Sequence, residues 1–339
     1  MKVLITGGAG FIGCNAAKRF MDEGHEVIVL DNMSRRGADL NIGWLRSCGT
    51  LTVLTEDIRN FGALNAIFGQ HKDLDVIVHL AGQVAVTTSV ENPRKDFDDN
   101  VLGTFNMLEA VRLNGLDPLF ICSSTNKVYG ALEHLEVVEE KTRYRWKSLE
   151  GGVAEDTPLD FHSPYGCSRG AADQYVRDYY RIYGVRSVVF RQSCIYGYRQ
   201  FGIEAQGWVT WFSIATALDR PITIYGTGKQ LRDVLFIDDL IDAFVLATEK
   251  IDNVMGQVYN IGGGPSNTIS LLELLNLLER IRGKRADTSF AEARPGDQPV
   301  FVCDIRRVHR DLGWQPKTGV EEGVRKLVSW VDANRELFA

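Results

Sequence analysis

Short apolar runs alternate with longer amphipathic segments through the first half of the chain. Nearly continuous apolar runs of this length are typical of strands covered on both faces, and their alternation with helix-length segments indicates β-α-β units. The pattern predicts six strands, at residues 2–6, 27–30, 51–54, 76–80, 119–122 and 185–190. It predicts four helices, at residues 11–23, 61–70, 95–114 and 167–183. An α/β fold with a doubly wound parallel sheet follows.

The second half of the chain has a different pattern. Beyond about residue 191 the alternation loosens, and glycine, proline and aromatic residues become frequent. We expect a smaller mixed α/β C-terminal lobe that covers a substrate. The expected division is a first domain at 1–190 plus about 230–262, and a second lobe at 191–229 and 263–339.

Residues 131–163 interrupt the regular pattern. Glutamate and lysine are dense there, and Gly151-Gly152 breaks any helical period. Long segments of this kind are often functional loops, so we expect an ordered loop or lid over the site. A mobile surface insertion is the alternative.

A glycine motif, Thr6-Gly-Gly-Ala-Gly-Phe-Ile-Gly13, joins the first predicted strand to the first predicted helix. Gly7 or Gly8 allows a sharp turn, Gly10 removes a side chain where a pyrophosphate would approach, and Gly13 lets the helix pack close to the strand. The N–H groups at the helix start then face the phosphates. The motif therefore predicts a Rossmann-type dinucleotide site.

An acidic residue at the end of the second predicted strand supports this interpretation. Asp31 follows the glycine motif by about 20 residues, which is where a carboxylate accepts the ribose hydroxyls of NAD. Arg35 and Arg36 would suit the extra phosphate of NADP, but Asp31 would repel that phosphate. We therefore expect NAD as the cofactor.

Three further positions follow predicted strands or interrupt a predicted helix. Ala81 and Gly82 follow the fourth strand, and their small size allows close approach of a cofactor. Asp57 follows the third strand and either accepts the adenine amino group or caps the next helix. Asn100 lies inside a predicted helix, where asparagine is a mediocre former; it either makes a hydrogen bond across the site or faces solvent.

Composition and charge narrow the function classes. The 339 residues are 45% apolar and 24% charged, as in ordinary globular domains, and carry a net charge of −6. The acidic balance argues against a nucleic-acid partner. No apolar run approaches the roughly 20 residues of a membrane span, so we expect no membrane partner and a cytoplasmic location. The six cysteines are scattered and the histidines lack ligand spacing, so no metal site is expected.

A candidate catalytic group combines the fifth strand end with a later tyrosine. Ser123-Ser-Thr-Asn-Lys-Val-Tyr-Gly130 follows that strand, and Tyr165 lies four residues before Arg169. If a helix begins near Tyr165, the phenol and the cation share one face, and a cation favours the phenolate form. Tyr165 can then remove a hydroxyl proton as hydride leaves the same carbon for NAD, while Thr125 bridges the substrate oxygen. The alternative is a core tyrosine beside a serine-rich turn.

At these residues the chain resembles the extended short-chain dehydrogenase/reductase family of nucleotide-sugar enzymes, over nearly its whole length. The resemblance lies in the glycine motif, Ser124-Thr125, Tyr165, Arg232-Asp-Val234 and Arg294-Pro-Gly-Asp297. One departure is Arg169, where the family has a lysine that holds the nicotinamide ribose. Arginine keeps the charge but has a bulkier planar head, and Lys127 is a second cation that could compensate.

The resemblance implies a set of site residues. The implied catalytic residues are Thr125, Tyr165, Arg169 and Lys127. The implied cofactor-binding residues are Gly7, Gly10, Phe11, Ile12, Gly13, Asp31, Asn32, Arg35, Asp57, Ile58, Leu80, Ala81, Gly82, Gln83, Asn100, Ser123, Tyr165 and Arg169. The implied substrate-binding residues are Thr125, Asn126, Arg199, Gln200, Gln206, Arg232 and Arg294.

The resemblance also narrows the reaction. Family members that remove water carry Asp-Glu where this chain has Asn126-Lys127, and an amide and an ammonium cannot supply that acid/base pair. Longer blocks, such as 160–175 and 191–202, look much like 2-epimerases of CDP-linked deoxyhexoses, which implies a CDP-linked nucleotide sugar as the partner. A homodimer or homotetramer through helices 95–114 and 167–183 is implied as well.

Three alternative functions remain open at this point. A related epimerase could act on another carbon or another nucleotide sugar. A simple dehydrogenase or reductase would release reduced cofactor stoichiometrically. Because of Arg169, a redox-sensing NAD-binding protein without turnover is the third alternative.

Overall fold

The computed structural model describes residues 1–294 and 297–338; Pro295 and Gly296 of the predicted Arg294–Asp297 motif lie outside the described residues. The strands are β1 Lys2–Thr6, β2 Glu26–Asp31, β3 Thr52–Thr55, β4 Val76–His79, β5 Leu119–Thr125, β6 Val137–Glu139, β7 Tyr144–Trp146, β8 Ser187–Gln192, β9 Cys194–Tyr196, β10 Ile222–Tyr225, β11 Leu231–Phe236, β12 Gln257–Ile261, β13 Thr268–Ser270, β14 Thr288–Ala291 and β15 Val300–Phe301.

The helices alternate with these strands through the first half of the chain and cluster in the second. They are α1 Phe11–Asp22, α2 Ala38–Cys48, α3 Phe61–Gln70, α4 Val86–Glu91, α5 Pro93–Phe97, α6 Gly103–Leu113, α7 Ser163–Tyr183, α8 Trp208–Ala217, α9 Ile237–Glu249, α10 Ile251–Val254, α11 Leu271–Arg282, α12 Arg306–Leu312 and α13 Val320–Ala333. In the described part of the chain, every helix is too short or too polar to span a bilayer.

The central sheet has seven parallel strands in the order β12-β8-β5-β4-β1-β2-β3. The strand order reverses between β1 and β4, so loops from the two halves of the sheet diverge there. In open α/β sheets a ligand crevice forms at this switch point, beyond the carboxyl ends of the strands. The predicted doubly wound parallel sheet is confirmed.

Two hydrophobic layers sandwich the sheet because successive strand residues point to opposite faces. Val3 and Ile5 pack with Phe20 of α1 and Phe244 of α9 on one face. Leu4 packs on the other face, in a cluster that includes residues of α3, α6 and α7. Both faces are therefore covered, as the apolar strand pattern predicted.

The second lobe contains the parallel pair β10–β14 and helix α8, which packs against α11 and α13. Beside it, β11 pairs in parallel with β9 and β15 and antiparallel with β13, although the expected division assigned 230–262, and so β11, to the first domain. The lobe is mixed α/β, as expected from the looser pattern.

The structure differs from the sequence prediction at several elements, among them α4, which was not predicted, and α7, which begins at Ser163 and not at residue 167. Helix α2 was not predicted, because it contains asparagine and glycine, which are weak helix formers. The helix forms because packing of Ile42 and Leu45 in the core outweighs that weak preference. The predicted helix at 95–114 is instead α5, a π-helical turn at Asp98–Leu102, and α6. Strand β8 ends at Gln192, two residues beyond its predicted end.

The prediction of a lid at residues 131–163 is wrong. The segment contains the β6–β7 hairpin, and Leu132 and Trp146 are buried with Phe301 of the C-terminal lobe. None of its described residues lines the cavity introduced below. Burial of these apolar side chains holds the segment against the lobe and away from the mouth of the site.

Candidate active site

A cavity of about 520 Å³ lies at the carboxyl ends of the central strands, next to the switch point. Its wall includes the loops after β1, β2, β3, β4 and β5, the start of α7, and residues of the second lobe. This size lies within the usual range for sites of small molecules and cofactors.

The glycine turn forms one end of the cavity. Gly7 adopts φ +66°, and a Cβ there would lie 2.8 Å from the Ala81 nitrogen. A Cβ at Gly13 would lie 2.2 Å from the Gly7 carbonyl oxygen, so α1 packs directly on the turn. Gly10, the N-cap of α1, brings no side chain to the wall. The first turn of the helix is therefore open to an anionic group.

Asp31 stands at the end of β2 beside this turn. Its carboxylate accepts the Ala9 N–H at 3.0 Å and the Met33 N–H at 2.8 Å. Burial raises the pKa of Asp31, while those two hydrogen bonds and the charge of Arg35 oppose the rise. The carboxylate is thus held rigidly on the cavity wall.

Asp57 also lines the cavity but does not cap the next helix. Asn60 is the N-cap of α3, where its side chain accepts the Ala63 N–H at 3.3 Å. The Asp57 carboxylate instead accepts hydrogen bonds from Arg59 and from Asn32, and the bond from Arg59 holds its pKa well below the usual range. The helix-cap alternative for Asp57 is therefore wrong.

Tyr165 and Arg169 lie one turn apart near the start of α7. The Arg169 guanidinium carbon is 5.9 Å from the centroid of the Tyr165 ring. The guanidinium donates to the Gln83 carbonyl at 3.1 Å and to the Ser123 carbonyl at 3.4 Å. It therefore ties the loop after β4 to β5 and keeps a buried cation beside the phenol.

Thr125 and Lys127 reach the same cavity from the end of β5. The Thr125 hydroxyl donates to the Asn126 side-chain oxygen and accepts the Lys127 N–H, each at 3.3 Å. The Lys127 ammonium donates to the Gln298 side-chain oxygen at 3.2 Å. Burial, and then the charge of Arg232, lowers the pKa of Lys127 to about 8.

Two arginines line the cavity from outside the central sheet: Arg232 lies on β11, and Arg294 follows β14. Arg232 donates to the Asp297 carboxylate at 2.6 Å. Arg294 donates to the Glu204 carbonyl at 2.9 Å, and its guanidinium lies 3.9 Å from the centroid of the Tyr225 ring. Guanidinium groups suit bidentate contacts to phosphate oxygens, so this part of the wall can contact an anionic ligand.

Gln83 and Asn100 are not on the cavity wall, which corrects the cofactor contacts expected for them. The Asn100 side-chain oxygen accepts the Gln83 N–H at 2.9 Å, and its nitrogen donates to Ser168 at 2.9 Å. The Gln83 side chain turns back onto Ala85. The polar groups of both residues form hydrogen bonds within the protein. They therefore stabilise the loop after β4 without lining the cavity.

Arg199 and Gln200 reach the wall, but their polar ends contact protein groups. The Arg199 guanidinium carbon lies 4.5 Å from the centroid of the Trp44 ring and 5.9 Å from that of Trp330. The Gln200 amide accepts the Thr210 hydroxyl. The Arg199 contacts fasten the loop after β9 to α2 and α13. Both residues line the cavity, and the substrate contacts expected for them stay a prediction.

The other predicted site residues all line this cavity. They are Gly7, Gly10, Phe11, Ile12, Gly13, Asp31, Asn32, Arg35, Asp57, Ile58, Leu80, Ala81, Gly82, Ser123, Thr125, Asn126, Lys127, Tyr165, Arg169, Gln206, Arg232 and Arg294. Sequence reasoning missed several polar and aromatic wall residues, among them Thr87, Gln192, Cys194, Trp211, Tyr225 and Gln230. If the predicted end of β8 had been placed two residues later, Gln192 would have been recognised as a residue at the carboxyl end of a strand.

Comparison with known proteins assigns the chain to one family. The family model described as GDP-mannose 4,6 dehydratase matches residues 4–327. The chain belongs to the extended short-chain dehydrogenase/reductase family of nucleotide-sugar epimerases and dehydratases, so the family predicted from its motifs is confirmed. It is an enzyme of the epimerase and dehydratase class.

Individual relatives share this family and fold. The chain is 46% identical to the CDP-paratose 2-epimerase of Salmonella typhi, over 98% of this chain and all of that protein. It is 31% identical to the dTDP-glucose 4,6-dehydratase of Escherichia coli, over 98% of this chain and 93% of that protein. The crystal structure of the Thermus thermophilus UDP-glucose 4-epimerase in complex with NAD aligns with a TM-score of 0.82 at 30% identity, covering 98% of this chain and 100% of that one.

Proposed function

We propose that this chain is an NAD-dependent epimerase that inverts C2 of a nucleotide-linked deoxyhexose, converting CDP-paratose to CDP-tyvelose. The observation that most supports this is that Tyr165, with Arg169 beside it, lines the same cavity as the glycine turn and the two arginines. Proton transfer, dinucleotide binding and nucleotide binding can then take place in one site. The 46% identical Salmonella typhi relative supports the choice of substrate.

The cavity fits NAD at its glycine end. A side chain at Gly7 or Gly13 would collide with neighbouring backbone, so glycine at these positions lets the turn pack tightly against the loop after β4 and against α1. Gly10, at the start of α1, leaves the wall without a side chain where a pyrophosphate would approach. The Asp31 carboxylate is positioned for the ribose hydroxyls and would repel the additional phosphate of NADP. When bound, NAD supplies the acceptor, and later the donor, of a hydride. The solved Thermus thermophilus neighbour is an NAD complex.

Tyr165 performs the proton transfer in this proposal. Its phenolate would take the proton of the C2 hydroxyl when C2 is oxidised to a ketone, with bound NAD as the hydride acceptor. Thr125 would hydrogen-bond the same oxygen and hold it toward Tyr165. Tyr165 would give the proton back when C2 is reduced from its opposite face by the NADH that was formed, which yields the inverted alcohol. No oxidant is consumed over the cycle.

Inversion requires that the nucleotide stays bound while the sugar turns. Arg232 and Arg294 hold the diphosphate at the far end of the cavity, where arginine forks suit phosphate oxygens. The hexose is attached only through this anchored group, so it can rotate about the bonds to the phosphate and present its other face. This leaves Tyr165 and Thr125 as the fixed partners of the reacting oxygen.

The side chains after Thr125 argue against dehydration. Elimination of water needs an acid and a base near the carbons that lose hydrogen and hydroxyl. Asn126 and Lys127 occupy this part of the wall, and neither carries a carboxyl group. The dTDP-glucose 4,6-dehydratase relative therefore shares the fold with this chain and not its proposed reaction.

We also propose which part of the chain binds which ligand, and which oligomer the chain forms. Residues 1–190 plus about 230–262 form the NAD-binding part, and 191–229 with 263–339 form the nucleotide-sugar lobe.

Several apolar side chains on α5 to α7 are exposed, namely Phe97, Leu102, Leu113, Tyr175, Ile182 and Tyr183. A second copy of the chain would cover this surface, which supports a homodimer. Sedimentation of the purified chain as a monomer at micromolar concentration would contradict that assembly.

The experiment that tests the function is a substrate panel. Purified protein is incubated with CDP-, GDP-, UDP- and dTDP-sugars without added NAD, and the products are read by NMR. The proposal expects a C2-inverted product from CDP-paratose, with no net change in absorbance of the cofactor. Inversion at another carbon, or stoichiometric reduction of NAD in a parallel reaction to which NAD is added, would replace it with one of the alternatives.

A further inference from the structure

We propose that Gln192 is a sugar-binding residue, whose side-chain amide holds the hexose beside Thr125. This inference rests on the proposed function, since it concerns how the same site holds its nucleotide sugar. Neither the glycine motif nor the tyrosine pair points to this residue. Its position follows from strand register, burial and the absence of a partner for its amide.

The register of β5 and β8 places Gln192 next to Thr125. Thr125 pairs with Gln192, and the preceding residues Ser124 and Arg191 pair with each other. Ser124 and Arg191 both hydrogen-bond the Asp173 carboxylate of α7, each at 2.9 Å, so that pair points to the α7 face of the sheet. Because successive strand residues alternate, Thr125 and Gln192 share the opposite face.

The side-chain nitrogen of Gln192 has no hydrogen-bond acceptor in the described part of the protein. The residue is only 6% exposed, and among residues 1–294 and 297–338 nothing accepts a hydrogen bond from its Nε2. A buried amide donor without a partner is unfavourable, and most such groups in proteins are satisfied. Gln192 is also part of the cavity wall. A ligand in the cavity is therefore the available partner for this amide.

The surroundings of Gln192 favour the sugar over the other ligand groups. Two residues further, Cys194 pairs with Val234 of β11, the strand that carries Arg232. The chain at Gln192–Cys194 thus runs from the strand beside Thr125, where the reacting oxygen is expected, to the strand that carries Arg232, where the diphosphate is expected. In a nucleotide sugar the hexose is the part that connects these two points.

An amide suits a sugar that changes oxidation state. A hydroxyl group both donates and accepts hydrogen bonds, whereas the ketone formed at C2 only accepts. A half-turn of the terminal amide exchanges its oxygen and nitrogen, so Gln192 can accept from a hydroxyl or donate to a carbonyl. The same side chain can therefore contact the sugar in either of its two orientations.

The test compares binding of CDP-paratose with binding of CDP by isothermal titration of the NAD-loaded enzyme. Gln192→Met keeps the length of the side chain and removes the amide, and Gln192→Glu keeps the shape and removes the donor. The same Gln→Met change at Gln70, which is exposed on α3, is the matched control. We expect both Gln192 variants to bind CDP-paratose about tenfold more weakly, the loss of one hydrogen bond, and to bind CDP as the wild type does.

Three results would overturn the inference. They are unchanged affinity for CDP-paratose in both Gln192 variants, an equal loss for CDP and CDP-paratose, and a loss of bound NAD. The Glu variant decides the outcome if the Met variant fails to fold. Failure of the proposed function is distinguishable, because wild-type enzyme would then bind CDP-paratose no better than CDP or leave it unconverted.

Discussion

The Arg169 guanidinium lies 5.9 Å from the ring centroid of Tyr165, one helical turn further along α7. Its N–H groups donate to the carbonyls of Gln83, in the loop after β4, and Ser123, in the adjacent strand β5. The cation therefore cannot swing away from the phenol without losing two buried hydrogen bonds. This arrangement makes Tyr165 the candidate acid/base of the site.

Replacement of Tyr165 by phenylalanine should abolish most turnover while the cavity keeps its shape. We expect kcat to fall by about 10² to 10⁴, the usual effect of removing a positioned acid/base. The affinity for the nucleotide sugar should change little. Steady-state epimerisation and titration of CDP-paratose check both. Tyr175→Phe, on the exposed side of the same helix, is the control, and an unchanged rate in Tyr165→Phe would remove Tyr165 from the proposed role.

Variants of Arg169 separate its charge from its geometry. Arg169→Lys keeps the cation but cannot reach both carbonyls with a planar fork, so we expect a loss of about tenfold in kcat. Arg169→Met removes the cation and leaves both carbonyls without a donor, so we expect a loss of at least about 10². Turnover and bound NAD are measured for each variant. Equal activities of the Lys and Met variants would show that the charge is not required.

Lys127 predicts a pH dependence of nucleotide-sugar binding. Burial lowers its pKa to about 8, so the ammonium is charged below pH 8 and loses its charge above. The charge attracts the diphosphate, so we expect Kd to rise about three- to tenfold as pH passes through 8. Titrations on both sides of pH 8 check this. Lys127→Arg stays charged and should lack the step; a step of the same size in that variant would assign it to another group.

The same lysine affects the stability of the free protein with the opposite sign. Its pKa in the folded protein is below the ordinary value of 10.5, so between about 8 and 10.5 the unfolded chain holds more protons. The contribution of Lys127 to the free energy of unfolding therefore increases as pH rises through that range.

Arg199 should matter for stability and not for substrate affinity. Its guanidinium lies over Trp44 and near Trp330, and partly desolvated contacts of this kind contribute about 0.5 to 2 kcal/mol each. We expect Arg199→Ala to lower the free energy of unfolding by about 1 to 3 kcal/mol, as measured by urea denaturation. Its Kd for CDP-paratose should stay near the wild-type value. A large loss of affinity with unchanged stability would return Arg199 to the substrate contacts expected from sequence.

The sequence alone determined the parallel sheet, the glycine turn and the position of Tyr165 and Arg169 on one helical face. These features depend on residues close together in the chain, whose spacing reports strand, turn and helix geometry directly. The family also followed from sequence, because its motifs combine residue type with spacing.

Only the tertiary structure decided which distant segments meet. The apolar side chains of 131–163 could bury against either lobe, and packing beside Phe301 took the segment away from the cavity. Arg199 and Asn100 contact other residues of the protein, and no pattern in the neighbouring sequence predicts these contacts. Gln192 became a candidate ligand residue only because β8 lies beside β5, since hydrogen bonds between strands far apart in sequence set the register of a parallel sheet.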